Sequence, residues 1–142
     1  MDVFTYGTLM FPEVWEVVVG SSFATVVGTA AGFEIFRIRD AVFPGIIEDA
    51  GTNAVEGVVY LDVDSAAVAR LDRFEDDFYV RRALTIECRD GRRRTAEAYV
   101  VPQANRHVLT DEPWNRESFV ASGGLEDFMN RFAGFGRVAG DE

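Results

Sequence analysis

Hydrophobic and polar positions change their period along this chain. Asp2-Val3-Phe4-Thr5-Tyr6 is rich in β-branched and aromatic residues and predicts a strand, which Gly7-Thr8 breaks. Pro12 to Val19 predicts a short helix with its proline near the start. The stretch from Phe23 to Ile38 is long, mostly apolar and β-prone; Gly28 and Gly32 interrupt it as candidate bulges of a curved sheet. Phe43-Pro44-Gly45-Ile46-Ile47 predicts a turn leading into another strand. Val55 to Val63 alternates, with Val55, Gly57, Val59 and Leu61 against Glu56, Val58, Tyr60 and Asp62. Tyr79 to Cys88 and Thr95 to Val101 predict a hairpin around Asp90-Gly91. The last third turns helical. Trp114 to Ala121 is one candidate helix, and after Gly123-Gly124 an apolar stripe of Leu125, Phe128, Met129, Phe132 and Phe135 reads as core packing. The tail from Gly136 reads as frayed.

Five or six strands, few helices and no alternating strand–helix rhythm predict the α+β class. The expected architecture is a small mixed, mostly antiparallel curved sheet or barrel with peripheral helices. No internal repeat, linker or composition boundary divides the chain, so residues 1–142 read as a single domain.

One helix carries an anomaly. Asp64 to Glu75 predicts a short helix capped by Asp64 or Ser65. At 100° per residue, Ala67, Val68, Leu71, Phe74 and Glu75 share its apolar face, while Arg70, Asp72, Arg73 and Asp76 lie on the flanks or far side. An acid on that stripe is either a structural carboxylate paired to Arg81 or Arg82, or a proton-transfer group with a raised pKa. The residues alone leave both readings open.

Composition narrows the chemistry. The net charge is −10, from 24 acidic and 14 basic residues, and every basic residue is arginine. An acidic surface repels phosphate backbones, so no nucleic-acid partner is expected; Arg92-Arg93-Arg94 reads as a solvated turn and strand start. No apolar run approaches the roughly 18 residues of a membrane span, and the N-terminus lacks a signal-peptide pattern. With the single Cys88 these features predict a reducing, cytoplasmic setting. The absence of lysine excludes Schiff-base chemistry and a P-loop clamp. One histidine, His107, and one cysteine make no usual zinc site, so no metal is expected. His107 sits in a polar segment and reads as solvated; Cys88 closes a strand and reads as packing.

A second segment stands beside Glu75. Tyr6-Gly7-Thr8-Leu9 follows the first strand directly, and a glycine there can take a conformation closed to other residues. Successive N–H groups in such a turn can form an anion-binding nest for a carboxylate or an oxyanion. An ordinary structural turn is the competing reading.

Several motifs occur in a fixed order: Val3-Phe4-Thr5-Tyr6-Gly7-Thr8-Leu9, Phe43-Pro44-Gly45-Ile46, Glu56-Gly57-Val58-Val59-Tyr60, Leu71-Asp72-Arg73-Phe74-Glu75, Tyr79-Val80-Arg81 and Trp114-Asn115-Arg116-Glu117-Ser118-Phe119. This series resembles the γ-glutamylcyclotransferase-like superfamily, in particular its AIG2-like branch, which also holds γ-glutamylamine cyclotransferase. The resemblance spans nearly the whole chain. It implies a small β-barrel with flanking helices and a cavity at one side. It implies that Tyr6, Gly7, Thr8, Leu9 and Tyr79 contact a small γ-glutamyl substrate and that Glu75 is the general acid/base. The implied reaction releases 5-oxoproline by attack of the substrate's own α-amine on its γ-carbonyl, with no cofactor. That role asks for a Glu75 pKa raised from about 4.3 toward roughly 6–7. The chain departs from the pattern at Asp76-Asp77, where the family often has glycine, and the extra acid is expected to alter leaving-group preference or raise Glu75 further. A cavity-bearing binding module without turnover, and a related enzyme acting on a γ-glutamyl- or aminoacyl-tagged metabolite, stand as alternatives; a purely structural role ranks last. The leaving amine and the oligomeric state are left open.

Overall fold

The computed structural model describes residues 1–130. The stripe positions Phe132 and Phe135 and the tail from Gly136 lie outside the described residues.

Among the described residues, eight strands and three α-helices, with a further helical stretch near the end, form an α+β architecture in two sheets. β1 (Asp2–Thr5), β2 (Thr25–Ala31), β5 (Ala54–Tyr60), β6 (Val80–Cys88) and β7 (Arg93–Val100) close a barrel in the order β1-β5-β2-β6-β7. Four of its five pairings are antiparallel; the closing pair, β1 on β7, is parallel. β3 (Phe33–Ile38), β4 (Pro44–Glu48) and β8 (Leu109–Pro113) form a separate three-stranded sheet with β3 in the middle. The Val101 N–H donates to the Ile46 carbonyl at 2.8 Å and ties this sheet to the end of β7.

The long apolar stretch from Phe23 to Ile38 is therefore two strands in different sheets. Gly32, at φ +83°, makes the turn between them, in the left-handed region glycine occupies freely. Neither Gly28 nor Gly32 is a bulge. β2 pairs with β5 in unbroken register from Thr25 to Ala31, and the irregularity falls instead between Phe36 and Ile38, where β3 meets β8.

The helices cover one side of the barrel. α1 (Pro12–Val19) and α2 (Ser65–Phe74) share a core in which Val14, Trp15 and Val19 meet Val63, Ala67, Val68 and Leu71. Full burial of such side chains contributes roughly 1.5–3 kcal/mol each. The Asp64 carboxylate accepts the Ala67 N–H at 2.8 Å, which settles the cap of α2 on Asp64. α3 (Arg116–Ala121) is capped by Asn115 and packs Phe119 against Phe11 and Trp114. A further helical stretch covers 124–130. Cys88 is buried and His107 is exposed in a 3-10 turn, as the sequence predicts. The arginine run pairs locally, Arg93 with Glu87 and Arg94 with Asp90. Among the described residues no helix is long and apolar enough to cross a membrane.

Candidate functional site

Helix α2 ends one residue before its anomalous acid. Phe74 is its last residue, and Glu75 leaves the helix at φ −75°, ψ 145° while its N–H still donates to the Leu71 carbonyl at 3.0 Å. Glu75 is thus an extended C-cap and does not continue the apolar stripe. The turn in backbone direction aims its side chain away from the α1–α2 core and into a cavity. The helix makes the placement possible by its length.

The cavity is open, with a volume of about 1800 Å³. Tyr6, Gly7, Thr8 and Leu9 line it from the barrel end of β1, and Glu75 and Tyr79 line it from the α2–β6 connection. All six residues singled out in the sequence meet here, although some seventy positions separate the two segments. Three tyrosines hold the walls by donating to main-chain carbonyls. Tyr6 donates to Tyr99 at 2.6 Å, Tyr79 to Pro44 at 2.6 Å, and Tyr60, stacked on Trp15, to Leu9 at 2.9 Å. Each bond fixes a loop to a sheet or to the neighbouring loop.

The glycine of the loop is required for space. Gly7 has φ −124°, so a left-handed conformation is not the reason for it. A Cβ at this position would stand 2.9 Å from Cδ and Cγ of Pro44, closer than carbon atoms tolerate. After Gly7 the chain enters a 3-10 turn, Thr8–Met10, whose first internal bond runs from the Met10 N–H to the Gly7 carbonyl at 3.0 Å. The N–H groups of Gly7, Thr8 and Leu9 precede that bond and have no partner within the turn.

Among the described residues no arginine pairs with Glu75. Arg81 is engaged by Asp72 and Glu97, and Arg82 by Glu48, so the paired-carboxylate reading fails among the described residues. Burial pushes the Glu75 carboxyl up to about 8, with Asp76 and then Asp72 adding like-charge repulsion. That exceeds the 6–7 expected from catalytic need, because two neighbouring carboxylates act on top of desolvation. Burial, with Asp77 beside it, raises Asp76 too. Burial raises Tyr6 and Tyr79, which sit side by side, and the charge of Glu75 raises both further. Both phenols therefore stay protonated donors.

A smaller cavity of about 370 Å³ opens on the other side of Glu75. Asp72, Asp76, Asp77 and Arg81 line it together with Tyr79 and Tyr99. The sequence did not single out Tyr99 as a contributor to the site, and Asp72, Pro44 and Tyr60, each quoted within a motif, had no role assigned. Their only signal was alternation within strands and an ordinary helix flank. No group of His, Cys, Asp and Glu among the described residues is arranged to hold a metal ion.

A small closed barrel with a half-buried carboxyl that has no cation partner among the described residues, facing a glycine loop across an open cavity, is suited to proton transfer on a small molecule. The chain belongs to the gamma-glutamyl cyclotransferase, AIG2-like family, whose model matches residues 3–116. It is 34% identical over 100 residues to AIG2-like protein C of Arabidopsis thaliana, an alignment covering 70% of this chain and 58% of that protein. The chain thus spans a little over half the length of that curated relative. A solution structure from Arabidopsis thaliana superposes with a TM-score of 0.71 at 22% identity, covering 94% of this chain and 80% of the other. An AIG2-like protein from Mus musculus superposes with a TM-score of 0.59 at 22% identity, covering 80% of this chain and 87% of the other. The likeness to these two structures is one of fold.

Proposed function

We propose that this protein is a γ-glutamylcyclotransferase that releases 5-oxoproline from a γ-glutamyl amine or γ-glutamyl amino acid, with Glu75 as general acid and base. The observation that carries the reading is the unpaired Glu75 carboxyl, raised to about 8, in the same cavity as the Tyr6–Leu9 loop.

The reaction asks little covalent work of the protein. Nucleophile and electrophile belong to one molecule, and holding them in a folded conformer is worth roughly 7–11 kcal/mol. The cavity walls supply that constraint. The Gly7–Leu9 N–H groups bind the substrate carboxylate or the developing γ-oxyanion. The Tyr6 and Tyr79 hydroxyls bound the space beside Glu75.

Proton movement balances on one carboxyl group. Glu75 takes a proton from the α-ammonium, and the freed amine attacks the γ-carbonyl. Glu75 returns that proton to the amide nitrogen, and the carbon–nitrogen bond breaks. The proton still surplus on the new ring nitrogen passes by the same carboxyl to the departing amine, which leaves as an ammonium. No cofactor enters this balance. An α-amino group titrates near 8 and an ordinary glutamate near 4.3, a mismatch costing about 5 kcal/mol per transfer. A carboxyl at about 8 removes most of that cost.

The test is 5-oxoproline release across γ-glutamyl amines, γ-glutamyl amino acids and glutathione, comparing wild type with Glu75→Gln. Turnover that Glu75→Gln abolishes, with substrate still bound, is the expected result. Near-normal release by the variant would sink the assignment. A second reading has one observation in its favour: three relatives at 30–34% identity are named only as AIG2-like proteins. Under it the cavity binds a γ-glutamyl compound without turnover, and the wild type would bind members of the panel yet release nothing. In either case we place the protein in the cytoplasm, in keeping with its unpaired cysteine.

A further inference from the structure

Arg81 and Glu75 line the same small cavity, yet they do not pair. The arrangement around Arg81 explains this. Its Nε donates to Asp72 Oδ1 at 3.0 Å, and one terminal nitrogen donates to Glu97 Oε1 at 2.7 Å. The Tyr99 hydroxyl donates to the same Asp72 oxygen at 2.6 Å. Strand register builds the set. Arg81 on β6 stands opposite Tyr99 on β7, and Glu97 lies two residues before Tyr99 on the same face. Asp72 arrives from the last turn of α2, three residues before Glu75.

Burial does not hold Arg81 in place. Its side chain is 31% exposed, and its partners Asp72 and Glu97 are 42% and 23% exposed. A long side chain that free could turn, if its own partners were removed, to the carboxylates of the same cavity that have no ion pair among the described residues, which are Glu75, Asp76 and Asp77. We propose that Asp72, Glu97 and Tyr99 form a positioning set whose work is to hold Arg81 away from Glu75, keeping the Glu75 carboxyl unpaired and available for proton transfer. The inference rests on the reading of Glu75 as the acid/base, and it adds three positioning residues to that site. The same network reaches the substrate loop, because the Tyr99 carbonyl accepts the Tyr6 hydroxyl at 2.6 Å.

The charged and titratable groups beside Glu75 bear on any titration of it. They are Asp72, Arg70 and Arg73 from α2, Asp76 and Asp77 after it, Tyr79 and Arg81 from the start of β6, Tyr99 from β7, Tyr6 from the loop after β1, and Arg37 and Asp40 from β3 and the turn after it, across the large cavity. The cations among them are Arg37, Arg70, Arg73 and Arg81, and of these Arg81 alone shares the small cavity with Glu75.

The decisive experiment is a mutant cycle read by NMR titration of the Glu75 carboxyl carbon. Asp72→Asn with Glu97→Gln releases Arg81. The Glu75 midpoint is expected to fall by about one unit or more, partly because the repulsive Asp72 charge is gone and partly as Arg81 pairs with it, and the second part alone depends on Arg81. Adding Arg81→Gln to that background should bring the midpoint back up, by much more than Arg81→Gln shifts it in the wild type. Such non-additivity is the signature of a pair formed only when the positioning set is broken. Equal shifts from Arg81→Gln in both backgrounds would overturn the proposal. Should the double variant fail to fold by circular dichroism, Tyr99→Phe with and without Arg81→Gln completes the same cycle with a smaller expected fall.

Activity provides the second readout. With a substrate on which the wild type turns over, kcat should fall at least tenfold in the double variant and recover in the triple variant, with KM little changed. If no γ-glutamyl compound is turned over by the wild type, the reading of function fails while the titration cycle still decides the proposal about Arg81.

Discussion

Asp72 and Glu75 are carboxylates three residues apart at the end of one helix, bordering the same small cavity, and they lead opposite lives. Asp72 takes a hydrogen bond from Tyr99 and an ion pair from Arg81 at its rim position. Glu75 turns inward at the C-cap, meets no cation among the described residues and has its carboxyl raised to about 8. The difference lies in backbone direction. A carboxylate on the last helical turn stays where arginine can reach it, whereas one residue past the helix in extended conformation is carried into a cavity. An ion-paired acid is a poor base, so the partners of Asp72 are part of what leaves Glu75 reactive.

Breaking the Glu75 side of the comparison has the largest expected effect. Glu75→Gln should lower kcat by roughly 10²–10⁴-fold, the usual contribution of a positioned acid/base, with the circular dichroism spectrum unchanged. Next comes the opposite wall of the cavity. Gly7→Ala forces a methyl against Pro44 and should lower kcat/KM by about a hundredfold through displacement of the loop, while Gly91→Ala at the hairpin tip, where a Cβ meets nothing within 4 Å but φ is +87°, should cost stability through backbone strain and leave activity unchanged.

The pH dependence of stability sharpens the contrast in another way. A carboxyl raised in the folded state favours folding fully only below its unfolded pKa near 4.3. That contribution is lost as pH rises through about 8, where the folded protein must hold the buried charge. Glu75→Gln should therefore stabilise the protein by roughly 4 kcal/mol in urea unfolding at pH 8 and by nearly nothing at pH 4. A gain equal at both pH values would show that Glu75 is not held at a raised pKa. The smallest effect belongs to the exposed pair of Arg82 and Glu48, at 3.4 Å with both side chains largely in solvent. Arg82→Gln should change stability by less than about 0.5 kcal/mol and leave activity unaltered, in contrast to variants that release Arg81.

Much of the barrel was legible because strand signals are local. Alternation from Val55 to Val63 and the Asp90-Gly91 turn placed β5 and the β6–β7 hairpin within a few residues of their observed ends. The apolar stretch from Phe23 to Ile38 was harder. Its sequence carries strand propensity throughout, but nothing local says that one half joins the barrel and the other a second sheet. The site divided along the same line. Glu75 stood out as an acid on an apolar helical stripe, although the helix ends at Phe74 and leaves it as the C-cap, and the glycine loop stood out as a break after a strand. Tyr99 and Asp72 carried no comparable mark, since a tyrosine in a strand and an acid on a helix flank are ordinary until register and helix end bring them to Arg81.

The sequence by itself determined the class of fold, the family, the missing lysine, histidine and cysteine chemistries, and the two segments that line the cavity. The fold class and the missing chemistries follow from residue type and spacing, while the family and the pairing of the two segments come from the resemblance carried by the ordered motifs. Only the tertiary structure decided that Glu75 leaves its helix to face the cavity, that Gly7 is needed for its approach to Pro44, and that Arg81 is held by other partners. Each of those depends on distances between segments far apart in the chain, and on which of several carboxylates a single arginine can reach once the barrel has closed.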